Sequence, residues 1–175
     1  MRAAFAIAFG TLVLSGCATL SEKECRNANW QSIGQRDGAS GYTMSRLDEH
    51  AKACREVGVV PDPAAWARGR EQGLLQYCQP AVGRTKGAEG ASYYNVCSGP
   101  AEVGFLRGYQ VGKQIHDLKK LQDSNRRQRK ELTDALAKKD IKEDESKRIR
   151  RELERLDNDD RRLQRLVEQA YQIPL

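Results

Sequence analysis

The sequence is poor in the residues that build a large core or a catalytic centre. Aromatic residues make up 6% of the 175 residues, hydrophobic residues make up 39%, and the two histidines are His50 and His116. Soluble domains usually contain about 45–50% apolar residues. A nucleophile elbow, a phosphate loop, a dinucleotide fingerprint and a His-rich metal cluster are all missing. We therefore expect no enzyme, cofactor or metal site, and assign no catalytic residue.

The sequence also lacks a dense charge of one sign. The net charge is +6. From Lys113 onward, 18 Lys and Arg residues are interspersed with 14 Asp and Glu residues. Interspersed charge is typical of the solvated face of a helix, whereas a nucleic-acid interface needs a basic stripe. We therefore expect no nucleic-acid partner.

No apolar run is long enough to cross a bilayer. The run Ala3–Leu14 follows one positive charge, on Arg2. A run of about a dozen such residues fits the apolar part of a secretory signal peptide better than a buried N-terminal helix. It ends in Leu14-Ser15-Gly16-Cys17, which resembles the lipobox of bacterial lipoprotein precursors.

The lipobox resemblance implies a location. Cys17 would carry lipid on its sulfur and, once residues 1–16 are removed, on its new amine. Several acyl chains anchor a protein stably where one does not. Ala18 stands where an aspartate would favour retention in the inner membrane. The resemblance therefore implies a lipid-anchored protein on the periplasmic side of the outer membrane.

Four cysteines remain once Cys17 is assigned to the lipid: Cys25, Cys54, Cys78 and Cys97. No pair has Cys-x-x-Cys spacing, which argues against a zinc or redox site. An even number in an oxidising compartment favours two disulfides, each worth about 3–4 kcal/mol. Three pairings are possible, and the shorter loops favour Cys25 with Cys54 and Cys78 with Cys97.

Helix signals occur along the whole mature chain, and no convincing strand pattern is found. The predicted helix starts are the capping box Ser21/Glu24, Ser45, the pair Asp62-Pro63, and Pro100. These are the residue types that favour the first turn of a helix. The first helix would carry Cys25, Trp30 and Ile33 together, and Gly58 would end the second. Residues 79–99 are rich in Gly and Pro and predict a loop closed by Cys97.

An aromatic residue followed by two glycines four apart recurs three times. The three sets are Trp30, Gly34, Gly38; Trp66, Gly69, Gly73; and Phe105, Gly108, Tyr109, Gly112. Glycine inside a helix costs about 1 kcal/mol relative to alanine, so these pairs need a reason. Glycines at i and i+4 share one helix face and let another backbone approach closely. Tight helix packing is the first interpretation, and a glycine-floored binding groove with aromatic walls is the alternative.

These motifs carry a second resemblance. The lipobox, an early Cys-x4-Trp-x3-Gly-x2-Asp-Gly, the segment from Trp66 to Cys78 and a Phe-x2-Gly-Tyr-x2-Gly resemble the bacterial lipoproteins grouped as domain of unknown function 2799. The resemblance covers roughly residues 17–120. It implies an envelope lipoprotein with a cysteine-containing helical domain, and it carries over no catalytic residue.

The last third of the chain has the spacing of two heptad seams. The first comprises Leu118, Leu121, Asn125, Gln128, Leu132 and Ala135; the second comprises Ile149, Leu153, Leu156, Asp160, Leu163, Val167 and Ala170. A turn near residues 140–141 would pair them antiparallel, with Leu132 opposite Ile149. In that register Asn125, Gln128 and Asp160 would face apolar partners, so an intermolecular coiled coil stays an alternative.

The sequence predicts an all-α protein in three parts. Residues 1–16 are a signal peptide that is removed, residues 17–112 form a small disulfide-stapled helical domain, and residues 113–175 form a charged antiparallel helical hairpin or coiled coil. The expected role is structural or interactive, with an envelope protein or a second copy as partner. The alternative is a periplasmic small-ligand binder or enzyme that uses the glycine and aromatic face.

Overall fold

The computed structural model describes residues 19–175, so Cys17 and the predicted signal peptide lie outside the described residues. The described chain is helical and contains no strand, which confirms the predicted class. Its elements are α1 (Glu22–Arg26), α2 (Trp30–Ala39), α3 (Ser45–Cys54), a 3₁₀ turn (Arg55–Val57), α4 (Pro63–Tyr77), α5 (Pro80–Ala88), α6 (Gly99–Leu136) and α7 (Glu143–Tyr171).

Two of the predicted helix starts have the expected capping bonds. At α1 the Ser21 hydroxyl accepts from the Glu24 N–H at 3.3 Å, and the Glu24 carboxylate accepts from the Ser21 N–H at 2.8 Å. These hydrogen bonds hold the pKa of Glu24 below its usual value. At α4 the Asp62 carboxylate accepts from the Ala65 N–H at 2.9 Å, and Pro63 occupies the first turn. Each cap satisfies a backbone donor that the helix leaves unpaired.

The predicted first helix is wrong in its extent, because the chain forms two helices there. α1 ends at Arg26, and α2 begins at Trp30. The side chain of Asn29 accepts from the Ser32 N–H at 2.9 Å and so caps a new helix. An asparagine before an apolar residue is a strong signal for the start of a helix. Here it starts α2, and α1 does not continue through it.

The predicted loop over residues 79–99 is also wrong in its first half. Residues Pro80–Ala88 form α5, with Pro80 in its first turn. The loop is confined to the residues between Ala88 and Gly99, and Cys97 lies at its end. The glycines that suggested a loop are needed inside this helix for its contact with α6.

Two disulfides join the cysteines in the pairing that the shorter loops favoured. Cys25 bonds Cys54 and Cys78 bonds Cys97, with Cα atoms 5.4 and 5.6 Å apart. All four cysteines are buried. The first bridge joins the chain before α2 to the chain before α4, and the second joins the chain before α5 to the chain before α6.

The cysteine-containing part therefore consists of two units of the same plan. In the first unit α2 packs on α4, and in the second α5 packs on α6. Each unit has its own buried cluster, centred on Trp66 in the first and Phe105 in the second, and both side chains are 0% exposed. Each bridge closes a loop that contains one helix of its pair, α2 or α5, and so lowers the entropy of the unfolded chain.

Helix α6 continues beyond the second unit and is covered there by α7. It has 38 residues, which corresponds to about 57 Å. Val111 and Ile115 of α6 pack with Ala170 of α7 in a third buried cluster. The predicted boundary at residues 112/113 marks a change in composition, and α6 passes through it without interruption.

The buried residues of α7 recur at heptad spacing. They are Ile149, Leu156, Leu163 and Ala170, all members of the predicted seam. The expectation that Asn125, Gln128 and Asp160 face apolar partners is wrong. Asn125 donates to Asp160 at 3.1 Å, and Gln128 donates to Glu152 at 3.2 Å. The polar seam residues therefore find polar partners on the other helix.

Candidate functional site

The first glycine set lies between α2 and α4. A Cβ at Gly34 would stand 2.0 Å from the carbonyl oxygen of Trp66, and one at Gly69 would stand 1.8 Å from that of Gln31. Gly38 and Gly73 meet backbone atoms of the opposite helix in the same way. The contacts advance in the same direction along both helices, so α2 and α4 run parallel with their backbones touching.

The second set lies between α5 and α6 and repeats this arrangement. A Cβ at Gly108 would stand 1.9 Å from the Pro80 carbonyl oxygen, and one at Gly83 would stand 2.2 Å from that of Phe105. Gly87 and Gly112 complete the set. Sequence analysis missed Gly83 and Gly87, although their four-residue spacing behind a proline is a signal that could have found them.

The predicted aromatic partners of these glycines belong to the core. Trp66 and Phe105 are completely buried and Trp30 is 9% exposed. The Tyr109 hydroxyl donates to the Ala91 carbonyl oxygen at 2.6 Å. Because the space over each glycine is filled by the backbone of the neighbouring helix, the alternative of an open glycine-floored groove is replaced by tight helix packing.

A buried polar cluster lies at the centre of the first unit. The carboxylate oxygen Oδ2 of Asp37 accepts from Trp66 Nε1 at 2.8 Å and from His50 Nε2 at 2.9 Å. His50 Nδ1 is hydrogen-bonded to the Thr19 hydroxyl, at 2.8 Å. Asp37 is 7% exposed and His50 is 1% exposed. The cluster connects α2, α3, α4 and the start of the described chain.

Arginines surround this cluster without closing a salt bridge of ideal geometry. The Nε atom of Arg46 lies 3.9 Å from Asp37 Oδ1 and has no hydrogen-bond partner within residues 19–175. Arg70 donates to the Tyr42 carbonyl oxygen at 2.8 Å. Burial lowers the pKa of the Arg70 guanidinium, and the charge of Asp37 opposes that shift. The cluster thus balances one buried carboxylate with nearby cations and neutral donors, which is a structural role.

Asp37→Asn tests this role. We expect the free energy of unfolding to fall by about 2 kcal/mol, because the amide cannot replace a charged acceptor that serves two buried donors. The control Asp117→Asn changes an exposed carboxylate of α6 that has no hydrogen bond among the described residues, and we expect a change within about 0.5 kcal/mol. Urea unfolding followed by circular dichroism measures both. Equal stability of the two variants would contradict the assignment.

An exposed apolar cleft lies where α6 and α7 meet the second unit. It has a volume of about 500 Å³ and is lined mainly by Leu118, Leu121, Leu166, Ala170 and Ile173. Leu121 is 54% exposed, and Leu166 is 40% exposed. Contiguous exposed apolar surface on a soluble chain often marks an interaction site. We call this feature the arm cleft.

Polar side chains continue along α6 and α7 beyond the arm cleft. Arg129 donates to Asp160 at 2.9 Å and also lies 3.1 Å from Asp157. Lys119 donates to the Tyr171 hydroxyl at 3.0 Å. The exposed ion pairs each contribute little to stability, and they indicate which residues of α6 and α7 face each other.

Residues 19–175 offer neither a metal centre nor a membrane-spanning element. They contain no group of three or more His, Cys, Asp or Glu side chains that could hold a metal ion. None of their helices is long and apolar enough to cross a bilayer.

These features define a small all-helical protein built from two disulfide-stapled, glycine-packed helix pairs and a long charged helical extension. Residues 29–114 match the family described as "Protein of unknown function (DUF2799)", and the chain belongs to this family. The match confirms the family assignment made from the sequence, and it covers the glycine contacts of both helix pairs.

Neither the curated proteins nor the solved structures provide a match to the chain.

Proposed function

We propose that this protein is a lipoprotein anchored through Cys17 to the periplasmic face of the outer membrane, with a structural or protein-interaction role. The Ala3–Leu14 run and the lipobox support the anchor. The two buried disulfides support export, because disulfides persist in oxidising compartments.

The start of the described chain supports a short tether. The Thr19 hydroxyl is hydrogen-bonded to buried His50, and Leu20 is 6% exposed within the first core cluster. Thr19 is two residues beyond Cys17, and two residues span at most about 7 Å. A lipid on Cys17 would therefore hold the first unit close to the membrane surface, with almost no flexible linker.

The proposed arm is an antiparallel hairpin of α6 and α7. Contacts from Asn125 to Asp160 and from Lys119 to Tyr171 support it. The earlier residue of α6 contacts the later residue of α7, as it does when two helices run antiparallel. The turn of residues 137–142 is short enough to favour pairing within one chain. The arm is then a rigid extension of α6 rather than half of an intermolecular coiled coil.

The proposed interaction role is supported mainly by the arm cleft. Leu121 and Leu166 remain exposed on a surface that is otherwise densely charged. Their burial by a partner would be favourable by about 25 cal/mol per Å². The proposed partner is a helical segment of another envelope protein with an apolar face, seated between α6 and α7.

A pair of charge substitutions tests this proposal. Leu121→Glu with Leu166→Glu places two carboxylates in the cleft, and we expect crosslinked partner recovery from native membranes to fall at least tenfold. The control Leu75→Glu alters a 71% exposed leucine of α4, outside the cleft, and we expect recovery to be unchanged. Photocrosslinking in intact cells followed by mass spectrometry measures the recovery.

Other outcomes of this experiment would contradict the proposal. Equal recovery by the cleft variant and by unmodified chain would exclude the arm cleft as the interface. Recovery of the chain itself as the crosslinked partner, together with a dimeric mass in light scattering, would replace the hairpin by self-association.

A further inference from the structure

A second cleft lies between the two stapled units, away from the arm. It is formed by the turn after α2, the last residue of α4, part of α5 and the loop that follows α5. Its volume is about 440 Å³, which is within the range of about 300–1,000 Å³ for small-ligand sites. The lining residues that matter here are Ser40, Tyr42, Tyr77, Lys86, Ser92 and Tyr94. We call it the tyrosine cleft.

Tyr77 forms the floor of the tyrosine cleft and is held rigidly. Its side chain is 6% exposed, and its ring stacks on Phe105 with centroids 5.1 Å apart. The other side of the ring lies against Gly41, where a Cβ would be 2.3 Å from the ring atoms. Gly41 also has φ +76°, a conformation that glycine adopts without strain. The ring position is therefore set by both units together.

The Tyr77 side chain lines the cleft, and its hydroxyl, which is not fully enclosed by protein, makes no hydrogen bond to any residue from 19 to 175. Buried tyrosines usually find a partner for this group. Two neighbours do so, since Tyr93 pairs with Glu102 at 3.3 Å and Tyr109 with Ala91 at 2.6 Å. Burial raises the pKa of Tyr77, so the group stays a protonated donor at neutral pH. This unpaired donor at the cleft floor indicates a site for a ligand acceptor.

The remaining walls combine aromatic rings with uncharged polar groups. Tyr94 is 67% exposed and Tyr42 is 43% exposed, and one face of Tyr42 is covered by the Arg46 guanidinium at 4.2 Å. Lys86 donates to Glu89 at 2.9 Å and Arg46 donates to Glu49 at 2.6 Å, so both cations beside the cleft are paired with carboxylates. The walls thus offer ring faces and hydroxyls but no net positive charge for a phosphate.

This combination matches the chemistry of a saccharide. A pyranose ring presents C–H groups on its faces, which pack on aromatic rings, and hydroxyls on its edge, which both donate and accept. We propose that the tyrosine cleft binds a saccharide, with the Tyr77 hydroxyl donating to a sugar oxygen and the Tyr94 ring packing on a sugar face. The proposal depends on neither the lipid anchor nor the arm.

Titration calorimetry of the full mature chain with two probes, N-acetylglucosamine tetrasaccharide and maltotetraose, tests the site. We expect at least one probe to bind, and Tyr77→Phe to weaken it about three- to tenfold, since one hydrogen bond is lost and the ring shape is kept. Tyr94→Ala should weaken binding about tenfold. Tyr171→Phe removes a hydroxyl from the arm and should bind like unmodified chain.

The proposal fails if neither probe binds at millimolar concentration. It also fails if Tyr77→Phe binds as tightly as unmodified chain, or if Tyr171→Phe loses as much affinity as Tyr77→Phe. Should Tyr77→Phe not fold, Tyr94→Ala decides the question at an exposed position, because unchanged affinity there would exclude the cleft.

Discussion

Gly69→Ala is expected to lower the free energy of unfolding by about 3 kcal/mol, the upper part of the usual range for overpacked cores. The added methyl group would stand 1.8 Å from the Gln31 carbonyl oxygen and 2.9 Å from the Gln35 nitrogen. Both atoms belong to the backbone of α2, which cannot move without shifting the whole helix. The helix pair would have to separate, and the Trp66 cluster would lose its packing.

The control for this prediction is Gly104→Ala in α6. It makes the same change inside a helix, and its Cβ would meet only the Pro80 side chain, at 3.1 Å. The gain in helix propensity of about 1 kcal/mol then offsets the tight contact. Thermal and denaturant unfolding of the oxidised chain measure both variants. Similar stability of Gly69→Ala and Gly104→Ala would show that the α2–α4 contact tolerates separation.

Cys17→Ser is expected to remove all acyl chains from the protein and to abolish lipid-dependent membrane association. A hydroxyl is a far weaker nucleophile than a thiol or thiolate, so the serine cannot take the diacylglycerol thioether. Mass spectrometry of the N-terminal peptide and detergent partitioning measure the result. A serine variant that still carries acyl chains would refute the lipobox.

Ala18→Asp provides the matched control for the anchor. It leaves Cys17 in place, so the acyl mass should be unchanged, while sucrose-gradient fractionation should show the protein in the inner membrane. An acylated Ala18→Asp protein that stays in the outer membrane would contradict the sorting part of the proposal and leave the anchor intact.

Local signals explain why much of the fold could be predicted from sequence. The Ser21/Glu24 capping box and the Asp62-Pro63 start act within four residues, which is the range over which capping chemistry operates. The disulfide pairing was predicted from loop length, because each bridge closes a loop that contains only one helix of its pair, α2 or α5. The family resemblance also depended on short spacings between Cys, aromatic and Gly residues, which can be counted directly in the sequence.

Helix α5 shows where local signals fail. Pro80, Gly83, Gly87 and Gly90 lower helix propensity and favour a loop. In the folded chain the contacts of Gly83 and Gly87 with the α6 backbone stabilise the helix, and only Gly90 adopts the left-handed conformation that ends the segment. Tertiary packing decides this element, so propensity alone gives the wrong answer.

The buried cluster and the tyrosine cleft could not be predicted from sequence either. Along the chain Asp37 lies 13 residues from His50 and 29 residues from Trp66. Nothing in this spacing indicates that the three side chains meet. Tyr77 belongs to α4 in the first unit, yet its ring packs in the cluster of the second. Such sites arise from the packing of segments that are distant in sequence, which no single segment encodes.

The uninterrupted course of α6 has a mechanical consequence. Its first turns are clamped against α5 by Gly108 and Gly112, and its last 22 residues, from Ile115 to Leu136, extend about 33 Å further. Without a proline or glycine beyond Gly112, the helix has no hinge. α6 is therefore a stiff lever, and a sideways load at its tip is transmitted to the clamp beside the Cys78–Cys97 bridge.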